Sequence, residues 1–210
     1  MKLINPITII VFATFVLGFL FLEKNKKINF ELFLILLCSI SVEVISTILL
    51  LENSNISLIY SIGFLIHNSL WISILFDVFR SQLLKKLVLV SYIVFAIINF
   101  LFLEKKELNN MTFVIGAMLY ILFFIIEIFK YLKKEKLDFF STTEFLLILA
   151  PILFFFGFSL IFSFKNSEIR IIKIFNKIEL YTLICYTINI IYYFIINLYI
   201  YKEYKQKNVI

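Results

Sequence analysis

The sequence predicts an all-α, polytopic integral membrane protein: a single bundle of seven transmembrane helices with no soluble domain. Three observations predict it. Of 210 residues, 62% are hydrophobic and 16% charged, against about 45–50% and about 25% in water-soluble domains. Mean hydropathy is +1.03. Apolar runs longer than the roughly 10–14 residues of a buried soluble helix recur seven times between charged or Asn/Ser-rich breaks. The runs are continuous rather than alternating, which rejects a barrel, and a helix satisfies its own backbone in hydrocarbon. Seven spans of roughly 20 residues take up about 140 positions, which leaves loops and tails only. Four glycines and two prolines provide no flexible linker.

The first span lies near 5–22. No small-x-small cleavage site follows Leu22, and Glu23–Lys27 is a charged stop, so it reads as a retained helix rather than a signal peptide. The second, near 30–51, stops at the polar run ENSN over 52–55. The third, near 56–77, ends before RSQLLKK; the fourth, near 86–103, ends at EKKELNN. The fifth spans about 111–130 and is followed by KYLKKEKLD. The sixth, near 144–164, carries Pro151 at its centre, and the seventh covers about 178–200. Between the last two, Ile and Phe at 169, 171, 172, 174 and 175 alternate with Arg170, Lys173 and Lys177 at helical spacing. This is the pattern of a short interfacial helix on anionic headgroups, or of a solvated loop. No internal repeat is visible.

Basic residues set the orientation. One side holds Lys24, Lys26, Lys27, Arg80, Lys85, Lys86, Lys130, Lys133, Lys134, Lys136, Lys202, Lys205 and Lys207, thirteen in all. The other holds Lys2, Lys105, Lys106, Lys165, Arg170, Lys173 and Lys177, which is seven. The richer side is expected in the cytoplasm, with the amino terminus outside and the carboxyl terminus inside a bacterial cell membrane. The net charge of +6 therefore sits at helix ends, where it meets anionic lipid. The chain has no room for a nucleic-acid-binding fold.

Ionisable groups at membrane depth usually face the bundle interior, because each costs roughly 2.5–3.5 kcal/mol to insert. Glu43 lies about eight residues from the outer end of span 2, and His67 about ten from that of span 3. Their depths differ by about 3 Å at 1.5 Å per residue, so a buried carboxylate–imidazole pair is expected. It reads as a ligand site or proton-linked switch, or as a polar clasp between neighbouring helices. Ser39, Ser46 and Thr47 share the Glu43 stripe. Asn68 and Trp71 flank His67, with Trp71 one turn below. On span 7, Tyr181, Cys185, Asn189, Tyr193 and Asn197 recur every fourth residue and are expected to face the bundle centre. The expected ligand-binding cavity is lined by Glu43, His67, Asn68, Trp71, Asn189 and Tyr193, with Tyr120 and the Pro151 region as additions. Gly157 marks a close helix approach. Glu31, Glu127 and Glu144 read as boundary charges that snorkel or pair.

Several chemistries are excluded. No span carries a central lysine for a retinal Schiff base. A single His and two cysteines without CxxC spacing cannot complete a zinc site, so no metal or cofactor is expected. Cys38 and Cys185 fall at unequal depths, which argues against a disulfide. No G-x-S-x-G frames a serine nucleophile, and no Walker A, GxGxxG or CxxCH run is present.

The stretches LVLVSYIVFAIINFLFLE, NNMTFVIGAMLYILFFIIEIFKYL, EFLLILAPILFFFGFSLIFSF and ELYTLICYTINIIYYFIINLYIY resemble a family of short bacterial seven-span proteins commonly encoded beside sensor histidine kinases. The likeness covers about half the chain. It rests on the Asn110–Thr112 entry to span 5, the Phe/Ser/Gly-rich span 6 and the Asn-bearing span 7. Glu144–Phe145 stands where an aromatic-Trp pair would open span 6. The resemblance implies a membrane sensor or accessory role and carries over no catalytic residue. The expected function is thus a non-enzymatic sensory or accessory subunit that binds a small ligand or lipid, with a membrane partner such as a sensor kinase providing output. The alternatives are a small transporter or channel subunit, and an intramembrane enzyme acting on lipid.

Overall fold

A computed structural model describes residues 6–104, 108–163, 173–174 and 178–208. Seven α-helices follow in order: α1 (Pro6–Phe21), α2 (Lys27–Leu51), α3 (Ser57–Val78), α4 (Gln82–Ile98), α5 (Asn110–Lys133), α6 (Thr143–Ser163) and α7 (Leu180–Asn208). A π-turn over Asn99–Leu103 extends α4, and a 3-10 turn over Leu137–Ser141 leads into α6. Helices α2, α3, α5, α6, α7 and α4 with its π-turn are long and apolar enough to cross a membrane; α1, at 16 residues, is shorter. By composition the chain is an all-α, multi-pass membrane protein. In the loop before α7, Lys173–Ile174 pairs antiparallel with Ile178–Glu179. Of the two expectations for 165–177, an interfacial helix or a loop, the extended backbone at 173–174 departs from the helix at those two residues, and the rest of the segment lies outside the described residues.

Alternating chain direction brings the starts of α1, α3, α5 and α7 to one end with the finishes of α2, α4 and α6. Neighbour contacts close a ring in the order α1, α2, α3, α5, α6, α7, while α4 packs outside on α3 and α5. On α4 the buried residues Lys85, Val88, Tyr92 and Ala96 recur every three or four positions, a single stripe with the remaining faces apolar and outward. Two glycines permit close helix approach. A Cβ on Gly63 would lie 2.7 Å from Val42 Cγ2 of α2, and one on Gly157 would overlap Ile188 Cδ1 of α7, as its place in span 6 suggested.

Three helices end in the same way. Beyond α2, α3 and α5, the residues Asn53, Arg80 and Glu135 adopt left-handed φ of 54°, 57° and 54°. In each case the next residue's N–H reaches back five positions: Ser54 to Leu49 O, Ser81 to Phe76 O and Lys136 to Tyr131 O. These Schellman turns satisfy carbonyls that the helix leaves open.

Ionic networks staple the end opposite the cavity described below. Asp77 accepts Lys85 at 2.8 Å and Lys27 at 3.0 Å, while Glu31 accepts Ser73 Oγ at 2.7 Å and Lys85 at 3.4 Å. Glu31 is buried near the start of α2, where it pairs, as one of the two expectations for a boundary charge had it, instead of snorkelling. Glu203 of α7 accepts Lys26, Asn29 and Thr143, joining α7 to α2, α6 and the α1–α2 loop. The hydrogen bond to Glu203 holds the Lys26 ammonium above the ordinary lysine value. Glu127 pairs with Lys130 at 2.6 Å, and Glu144 accepts Thr143 Oγ1 at 3.5 Å.

Candidate functional site

At the end where α1 begins, six helices surround a cavity of about 670 Å³, within the range of small-molecule sites. Its two walls differ in chemistry. Helix α6 presents Phe154, Phe158 and Phe162, spaced by four along one face, and Phe64 and Phe113 complete an aromatic wall. These rings pack edge to face: Phe64–Phe113 centroids are 5.0 Å apart and Phe113–Phe162 5.1 Å. The other wall is polar. Ser39 and Glu43 come from α2, Tyr60 and His67 from α3, and Tyr181, Thr182, Cys185, Asn189 and Tyr193 from α7. Ile56, Ser57, Leu108, Phe162 and Tyr181 sit around it at helix ends.

The geometry keeps part of the expected site. Glu43, His67, Asn189 and Tyr193 line the cavity together, and the span 7 stripe turns inward while Ile190 and Phe194 are exposed at 52% and 60%. The expected Glu43–His67 pair does not form. Glu43 Oε2 instead accepts Thr8 Oγ1 of α1 at 3.1 Å. His67 Nε2 lies 3.1 Å from Tyr192 Oη and 3.3 Å from Trp71 Nε1, and Trp71 Nε1 donates to Tyr192 Oη at 2.9 Å. An indole N–H only donates. Tyr192 Oη accepts from it, so the tyrosine proton points to His67 Nε2; this accounting leaves that nitrogen as the acceptor. The two helices turn these side chains to different neighbours.

Asn68 and Trp71 are corrected as cavity residues. Asn68 is fully buried and turns the other way, donating through Nδ2 to Tyr92 Oη at 3.2 Å and to Phe113 O at 3.1 Å. Trp71 is fully buried and forms, with Tyr120, Phe155 and Tyr192, a packed aromatic floor beneath His67. Tyr120 does not reach the cavity either. Its hydroxyl donates to Ile148 O at 2.7 Å, in the turn preceding Pro151. Proline has no N–H to give to Leu147 O, so Tyr120 brings a donor to the helix turn that the proline weakens.

Other participants escaped the sequence reading. Thr8 holds Glu43, and Thr14 on the same helix accepts Asn197 Nδ2 at 3.0 Å; the threonines at the fourth and tenth positions of the apolar run 5–22 were the available signal. Tyr192 neighbours the stripe residue Tyr193 and was passed over for it. Cys38 and Cys185 both line the cavity as thiols. Among the described residues no cluster of His, Cys, Asp and Glu suits a metal ion. Compared with protein-family models, curated proteins and solved structures, the chain shows no match.

Proposed function

We propose that this protein spans the membrane seven times, amino terminus outside and carboxyl terminus in the cytoplasm, and binds a small ligand or lipid in the interhelical cavity as a sensory or accessory subunit. The cavity is the observation that carries this reading: about 670 Å³ with one aromatic and one polar wall. Its floor supports binding over conduction, because Trp71, Tyr120 and Phe155 are fully buried there. A non-enzymatic role is favoured by the separate engagement of Glu43 and His67, which leaves them without the shared proton path an acid–base pair needs. Occupancy would shift the packing of α6 and α7 around the cavity, and a membrane partner such as a sensor kinase would read that shift.

A neutral fluorophore, 1-aminoanthracene, tests the binding step on the purified protein in non-ionic detergent. Saturable binding near one probe per chain is expected, and Thr182→Trp, which fills the polar wall, should abolish it without lowering the melting temperature. Probe binding that is unsaturable, or unchanged in Thr182→Trp, would contradict the reading.

A further inference from the structure

The chemistry of the cavity narrows its ligand. Among the described lining residues Glu43 is the one carboxylate, and there is no Lys or Arg. The carboxylate's hydrogen-bond partner is a neutral hydroxyl, Thr8 Oγ1. The remaining titratable groups on the walls are His67, whose Nε2 is engaged by Tyr192 and Trp71, the thiols Cys38 and Cys185, and the phenols of Tyr60, Tyr181, Tyr186 and Tyr193. None of these provides a fixed positive charge. A carboxylate about 12 Å from its helix end in apolar surroundings needs positive compensation, either a proton or a cation. An anionic ligand would meet repulsion at Glu43 and find no cationic partner among the described lining residues.

The opposite wall makes the complementary statement. Five phenylalanines offer apolar area and aromatic faces, and such faces attract cations as well as apolar groups. A small hydrated inorganic ion gains little from that wall, and a neutral lipid tail leaves the compensation of Glu43 to a proton.

We propose that the cavity takes a lipophilic organic monocation, such as a quaternary ammonium or phosphonium, with its charge against Glu43 and its apolar body on the Phe64/Phe113/Phe154/Phe158/Phe162 wall. The proposal rests on the cavity being a ligand site, and it adds the class of ligand. Tetraphenylphosphonium is the probe, read by its displacement of 1-aminoanthracene from the full chain in non-ionic detergent. Wild type should release the fluorophore on addition of the cation. Glu43→Gln, with its own affinity for the fluorophore measured and divided out, should require at least about tenfold more cation, the loss expected for removing one desolvated charge contact. Glu43→Asp, which keeps the charge, should retain most of the displacement and shows that a loss in Glu43→Gln is not misfolding. Equal displacement in wild type and Glu43→Gln would overturn the cation assignment while leaving the cavity as a binding site. Failure of the fluorophore to bind wild type at all would remove both.

Discussion

Tyr192 Oη accepts one proton and donates another within a few ångströms, and Trp71 and His67 depend on it. Glu43 depends on Thr8 across a different helix interface. This separation fixes how substitutions combine. Buried groups that share a bond give coupling of about 0.5–3 kcal/mol, whereas sites without a shared partner add to within about 0.3–0.5 kcal/mol. Unfolding of purified variants should therefore show His67→Gln and Tyr192→Phe costing clearly less together than the sum of each alone. Glu43→Gln and His67→Gln should be additive. Strong coupling between Glu43 and His67 would mean that they bond directly and that the hydrogen bonds are misplaced. Sequence carries an expectation of their depth, because rise per residue along a helix is fixed. It did not give their azimuth, which depends on partners 35 and 125 residues away in the chain.

Among elements, helix positions were the most legible feature. Hydrocarbon thickness demands long apolar runs, and charges stop them; α3, expected near 56–77, is found at Ser57–Val78. Partner choice was less legible, since all faces of these helices are apolar and small polar side chains decide the packing. The stripe on α7 was readable at four-residue spacing, as was the close approach at Gly157, while the placement of α4 outside the ring was not. The α2–α3–α4 ion network offers a test at this scale. Lys85 is 11% exposed and touches two carboxylates, whereas Lys27 is 62% exposed and touches one of them. Removing a buried partner costs about 3–5 kcal/mol because it strands opposite charge, while an exposed ion pair contributes at most about 1 kcal/mol. Lys85→Met should accordingly lower the melting temperature far more than Lys27→Met. Similar effects would show the network to be solvated.

For the molecule as a whole, the ionic end and the cavity end divide the work. Glu203, Asp77 and Glu31 fix α7, α3 and α2 at one end, so in the proposed role ligand-dependent movement would belong to the other, where α6 and α7 meet the cavity. In the proposed orientation, with the amino terminus outside, that cavity lies at the outer face. Thiol labelling of intact cells joins both statements. In a chain with Cys38→Ala and Cys185→Ala, a membrane-impermeant maleimide should label Thr182→Cys on the cavity wall from outside, and 1-aminoanthracene should slow that labelling. Lys133→Cys at the far end of α5 should label only after the membrane is permeabilised. Labelling of Thr182→Cys only after permeabilisation, or at a rate the probe does not change, would contradict an outward-facing ligand cavity.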